Sequence, residues 1–425
     1  MDLSGQSTML AVLPLGSDGT WEMPQLAPGD PADFADIDPD VDVPQAFFRN
    51  LRRHTICDEP VEVTIPGSHP PAGAAASEKP DVQLIVERLE VFGVEAPDVP
   101  SHFLVATVRP RTSSDEAWLD AAKALSTTRA SEPLLATVAP YGLDKPAWST
   151  DTRPAVLVAA YLEGSQEQRE GLASHFATRA PLSDELWRKP EMTGVDAISD
   201  HHCRFVTPRI SGFVVEAGGQ ARHFQGKFLA EVRSQFLLAI VVTLWQRTWM
   251  EWILGAIQDI WQETESHSGL RRGQAVSRRL VRLRNLRNRH AVLIASGTFG
   301  PMFDSGSQAA FWDRIQRVYG VKQRRQELDE ALNALAEAAE IEASVNLERL
   351  LGFFTLMIGV PSLVFAVLGV NINKVTSQTD GVSLLLILGL FVACLIVGAG
   401  AFFVASGSFA ASSSRSTRRR STGRD

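Results

Sequence analysis

At 425 residues the chain exceeds one ordinary domain, so a sizeable folded core and a further element are expected. A formal charge of −8 argues against a nucleic-acid binder, and three scattered cysteines, Cys57, Cys203 and Cys394, supply neither a disulfide framework nor a metal-ligand spacing. Mean hydropathy is −0.01, but that average hides a C-terminal stretch of roughly 80 residues far more apolar than the rest.

Residues 1–85 are rich in Pro, Gly, Ala and Asp. The start lacks a basic region followed by an unbroken apolar run, so no secretory signal is expected and the N-terminus is expected in the cytosol. Asp30, Asp33, Asp36, Asp38, Asp40 and Asp42 crowd together, yet nothing fixes them in a ligand cage. The segment reads as a solvated, partly disordered acidic leader.

Over 86–223, short β-branched or apolar runs alternate with helical patterns. HFLVATV (102–108), LLATVAP (134–140), AVLVAAYL (155–162) and CRFVTPR (203–209) read as strands, whereas DEAWLDAAKALSTTR and SQEQREGLASHFATR read as helices. Such interleaving predicts an α/β or α+β cytosolic domain.

Cytosolic helices are expected over 224–308. The longest uncharged run there, Phe236 to Trp245, covers only about 15 Å as a helix, half a hydrocarbon core. Arg247 and Glu251 follow it, which marks a buried helix of a soluble domain. The arginine-rich stretch at 270–290 has no interleaved aromatics and reads as a solvated helix face or one paired with acidic neighbours.

Residues 309–349 contain no Pro and one Gly, and Leu328, Leu332, Leu335 and Ala339 fall at the 4,3,4 spacing of a coiled-coil-like seam. No breaker separates this stalk from the apolar run that follows, so a continuous rod of about 60 residues, roughly 90 Å, is predicted. Leu350 to Val370 carries no charge over 21 residues, about 31 Å of helix, and is expected to span a membrane as the core of segment 350–371. Pro361 removes one of its backbone hydrogen bonds.

An outer loop at 372–381 carries only Lys374 and Asp380, a second uncharged span is expected at 382–406, and the 407–425 tail holds Arg415, Arg418, Arg419, Arg420 and Arg424. Positive residues stay inside, so both termini are expected in the cytosol of a multi-pass protein of the cell membrane. No phosphate loop, nucleophile elbow or HExxH occurs, so an enzyme is not expected. His201, His202 and Cys203 are adjacent, but neighbours on a strand point to opposite faces and cannot readily share one ion.

The first span ends in Gly369, Val370 and Asn371. With the long stalk, two spans, a short outer loop and a basic tail, this resembles the CorA-type divalent-cation transporter family and its Gly-x-Asn signature. The resemblance covers about residues 310–425. It implies an α+β cytosolic domain, a stalk helix and a two-helix transmembrane hairpin, assembled as a homopentamer in a lipid bilayer.

In that family the first span lines the pore and the signature asparagines ring its outer mouth. The resemblance gives that role to Asn371, meeting a hydrated ion, with Gly369 allowing close helix packing. Asn346 would line the inner end, with Phe353, Met357, Val360 and Val364 as pore-lining candidates between. The implied cargo is a divalent cation, Mg²⁺ first. Val370 at the middle signature position, a loop without the usual acidic stretch, and the arginine-rich helix depart from the family pattern. They keep open Zn²⁺, Co²⁺ or Ni²⁺ as cargo, or a non-conducting membrane-anchored sensor or scaffold.

Overall fold

In a computed structural model, the structure describes residues 3, 6–15, 51–67, 81–94, 101–141, 153–179, 194–199, 201–217, 228–265, 281–291, 306–375, 389 and 392. They divide into two compact units, Met1–Glu263 with Asn285–Leu332, and Thr264–Arg284 with Asn333–Asp425.

The first unit is built on a mixed sheet of β1 (Thr8–Leu15), β2 (Leu51–Cys57), β3 (Val61–Ile65), β4 (Val82–Val94), β5 (Ser101–Pro110), β6 (Ala155–Leu162), β7 (Val195–Ser199), β8 (His202–Val206) and β9 (Ile210–Glu216). The order is β2-β4-β5-β1-β6-β9-β8-β7, with β3 also paired to β4. Neighbours run antiparallel except β6 and β9, which are parallel.

All eight residues of β1 and all eight of β6 are buried. A strand buried on both faces cannot alternate apolar with polar, which is why both read as continuous apolar runs. On one face Met9, Ala11, Leu13, Val158 and Val214 join α1 (Asp115–Leu125), α2 (Ser131–Val138) and α3 (Gln166–Arg179) through Trp118, Leu125, Leu134 and Phe176. The start of α1 is fixed by Ser114, whose side chain accepts from the Ala117 amide at 3.3 Å, and by Asp115 and Glu116 in the first turn.

The opposite face meets α4 (Leu237–Glu265), entered through a π-helical turn at Val232–Phe236. Phe213 of β9 lies 4.6 Å from Phe236 and 5.3 Å from Phe311, ring centre to ring centre. The helix Phe228–Ile260 is long and apolar enough to cross a membrane, but 72% of its apolar window is buried inside the protein. It is a core helix, as its charges Arg247 and Glu251 suggested. A further helix, α5 (281–291), buries Leu283, Leu286 and His290 while Arg282, Arg284 and Arg287 face solvent. Residues 270–280 of the arginine-rich stretch lie outside the described residues.

Several expectations are corrected. The leader at 1–85 contains β1, β2, β3 and the first residues of β4, and β1 sits mid-sheet; the apolar run TMLAVLPL was outweighed by the acidic composition around it. A domain start at 86 cuts through β4. The acidic cluster at 30–42 lies outside the described residues.

The run at 134–140 is helical, because Pro133 sits in a first helical turn and Leu134, Leu135 and Val138 bury one helix face. The strand expected at 203–209 ends at Val206. There Thr207 makes a tight turn, its hydroxyl donating to the Ile210 carbonyl at 2.6 Å and accepting from the Ile210 amide at 3.0 Å.

The stalk is broken once, between α6 (Gly306–Val318) and α7 (Val321–Val375). Gly320 has φ +66°, the left-handed conformation that glycine supplies at a helix C-terminus. The continuous rod is therefore 55 residues long and begins at Val321. Residues 372–375, expected in the outer loop, extend that helix. The rest of the loop, the second span at 382–406 apart from 389 and 392, and the tail lie outside the described residues.

Candidate functional site

The head of α7 is anchored by charge. Arg324 Nη1 donates to Glu251 Oε1 at 2.6 Å, and Arg247 Nε reaches the same oxygen at 3.0 Å. Lys322 and Arg317 both hold Asp313, at 2.6 and 2.5 Å, and with that support the Asp313 carboxyl titrates below its usual range. Nearby, burial pushes the Arg209 guanidinium down to about 10 and raises the Tyr319 hydroxyl.

Along α7, Leu328, Leu332, Leu335 and Ala339 are all buried, as their spacing requires. The exposed side is stitched by bonds from Gln323 to Glu327 at 2.9 Å and from Gln326 to Glu330 at 3.0 Å.

Beyond Glu340 the helix changes character. Ile341, Val345, Leu347, Leu351, Phe354, Leu356 and Ile358 are all exposed, Ile358 at 65% and Leu347 at 62%. Single exposed apolar residues are ordinary, but a helix segment exposing this many in succession needs lipid or other protein chains around it. Thr355 and Ser362 donate their hydroxyls back to the carbonyls of Leu351 and Ile358, at 2.8 and 2.6 Å. Such bonds satisfy a hydroxyl without water, as a hydrocarbon setting demands.

The helical backbone runs on through Pro361 and past Asn371. Asn346, Phe353, Met357, Val360, Val364 and Asn371 are separated by 7, 4, 3, 4 and 7 residues. At about 100° per residue these positions stay within one stripe roughly 60° wide, the stripe that also holds buried Leu335 and Ala339. Met357 is half-buried, whereas its neighbours Leu356 and Ile358 are exposed. Gly369 and Val370 fall on other faces of the helix than Asn371, separated by about 160° and 100°. One helical turn follows Asn371, so it lies within the helix and does not cap its end.

The other candidate cluster does not converge. Cys203 is fully buried, and burial pushes its thiol up. His201 lies exposed, with Nδ1 2.6 Å from Glu216 Oε2, and His202 Nδ1 is 2.8 Å from the Ser199 hydroxyl. Among the described residues no group of His, Cys, Asp and Glu is placed to hold a metal ion.

No protein-family model matches the chain. No curated protein matches it either. Among solved structures, it is similar to the CorA magnesium transporter from Methanocaldococcus jannaschii, at 11% identity over 60% of this chain and 91% of that one, with a TM-score of 0.18. It is also similar to the full-length CmaX protein, at 13% identity over 60% of this chain and 88% of that one, again with a TM-score of 0.18. Neither likeness bears weight at that TM-score.

Proposed function

We propose that this chain is one subunit of a divalent-cation channel in which copies of α7 stand side by side in the cell membrane, five by the family resemblance, with both termini in the cytosol. The observation that carries the reading is the succession of exposed apolar residues from Ile341 to Ile358 on a helix that continues unbroken to Val375. Lipid covers part of such a surface, and neighbouring copies cover the rest.

On this reading the stripe holding Asn346, Phe353, Met357, Val360, Val364 and Asn371 faces the pore. Mg²⁺ dehydrates reluctantly, so a pore passes it most easily with its water shell in place. A ring of amide oxygens at Asn371 accepts hydrogen bonds from those waters without the charge of a carboxylate, which would hold the ion too tightly to release it. Apolar rings at Phe353, Met357, Val360 and Val364 close the path by dewetting. Gly369, turned away from Asn371, lets helices approach closely, and Val370 completes the signature.

Lys374 in the last turn of α7 and Val370 in the signature depart from the magnesium pattern and keep open a second cargo class, Zn²⁺, Co²⁺ or Ni²⁺, through the same pore. The test is metal uptake by proteoliposomes across a panel of divalent ions. Asn371→Ala is expected to reduce uptake at least about tenfold while the assembly keeps its size. Uptake unchanged by Asn371→Ala removes that residue from the mechanism.

A further inference from the structure

The sheet face that meets α4 is apolar at its centre but carries a charged cavity toward β2 and β4. The cavity holds about 200 Å³ and is lined by Arg53, Arg88, Arg233, Asp58, Glu87 and Glu90 among others. Buried charges persist only when paired, so each partner can be traced.

Glu90, 3% exposed, receives Arg53 through Nε at 2.9 Å and Nη2 at 2.8 Å, and Arg88 Nε forms an ion pair with it at 3.2 Å without the geometry of a hydrogen bond. All three contacts fall on Oε1, which leaves Oε2 able to accept. Arg88 also meets Asp58 at 3.2 Å and donates to the Thr55 hydroxyl at 2.9 Å. Glu87 is held by Arg109 at 2.7 Å.

Three carboxylates are thus matched by Arg53, Arg88 and Arg109, and a fourth guanidinium, Arg233, remains in excess. Its Nε is buried without a hydrogen-bond partner among the described residues. Arg233 sits in the π-helical turn at Val232–Phe236, a local widening of the helix that recurs at functional sites. With three carboxylates matched, the leftover Arg233 gives the cavity a net positive charge, which favours an anion over a cation as its occupant.

We propose that this cavity binds a small protonated oxyanion, hydrogen phosphate or the singly protonated form of a phosphate monoester, with Arg233 as its main cationic contact. Arg233 answers the negative charge, and the P–OH group donates to Glu90 Oε2. Sulfate has the same size and shape but carries no proton near neutral pH, so it meets the Glu90 carboxylate with repulsion. The proposal is independent of the transport reading.

The test is equilibrium binding to the full-length, detergent-solubilised protein near pH 7, with inorganic phosphate, sulfate and glycerol phosphate as separate probes. Phosphate is expected to bind at one site per chain, at least about tenfold tighter than sulfate, and Arg233→Gln is expected to weaken it by at least about tenfold. Glycerol phosphate binding as tightly as inorganic phosphate would assign the site to monoesters, and weaker binding would assign it to the free ion. No phosphate binding, equal affinity for sulfate, or unchanged affinity in a folded Arg233→Gln variant overturns the proposal. Should that variant not fold, the contrast between phosphate and sulfate on the unaltered protein decides alone.

Discussion

Arg324 in the first turn of α7 and Glu251 of α4 share a hydrogen bond of 2.6 Å, on the same carboxylate oxygen that Arg247 reaches at 3.0 Å. One carboxylate therefore fastens the start of the 55-residue helix to the core helix of the sheet domain. Glu251→Ala leaves Arg247 and Arg324 facing each other, with buried Arg209 close by. A fully buried pair would cost more, but Glu251 is 20% and Arg324 34% exposed, which brings the expected loss to about 2 kcal/mol. Thermal unfolding of the purified protein checks it, and an unchanged Tm would show that the pair carries no stability.

Two glycines should respond with opposite signs. A Cβ on Gly212 of β9 would meet the backbone of Val158 on the paired strand β6, which cannot yield. Gly212→Ala is expected to destabilise by about 1–3 kcal/mol or to prevent folding. Gly171, within α3, has open space around the same position. Gly171→Ala should stabilise by about 0.5–1 kcal/mol, because alanine loses less backbone freedom in a helix. Unfolding midpoints of the two variants moving in the same direction would contradict this packing.

Stability should fall on mild acidification. Burial lowers the His102 titration below its ordinary value, and burial with His201 and Arg204 does the same for His202. Each histidine is neutral in the fold and takes up a proton on unfolding. Their contribution is complete above the unfolded value of about 6.5 and is lost as pH falls from there through the folded values. Tm measured from about pH 7.5 down to about pH 5.5 should decline, and His102→Gln should shallow that decline. An identical slope in the variant would rule His102 out as a source.

Much of the sheet domain was legible in the sequence. AVLVAAYL maps onto β6 residue for residue, because a strand buried on both faces advertises itself as an unbroken apolar run. TMLAVLPL carries the same signature, but the acidic, Pro-rich residues after it masked the strand. LLATVAP misled because a short apolar run has no period long enough to separate strand from helix, and only Pro133 just before it signalled a helix start. The seam of α7 was legible from spacing alone. The charged cavity was not, since Arg53, Glu90 and Arg233 are brought together by pairing of strands distant in sequence and by a π-helical turn with no sequence signature.

A charge placed on the exposed apolar part of α7 should separate lipid from water. Ile358 lies midway in the uncharged stretch and Ile341 precedes it, both strongly exposed at 65% and 58%. Ile358→Arg is expected to cost about 2.5–3.5 kcal/mol of membrane insertion, whereas Ile341→Arg should insert normally. Fractionation of membrane-integrated from aggregated protein tells them apart, and equal insertion of both would deny the segment its hydrocarbon setting.

The channel reading stands or falls on how many copies assemble, since one pore-lining helix per chain cannot enclose a path alone. Light scattering with the detergent contribution subtracted measures that number directly for the 46.4 kDa chain. Five copies per particle is the expected result; a particle of one or two copies would contradict a pore built from α7.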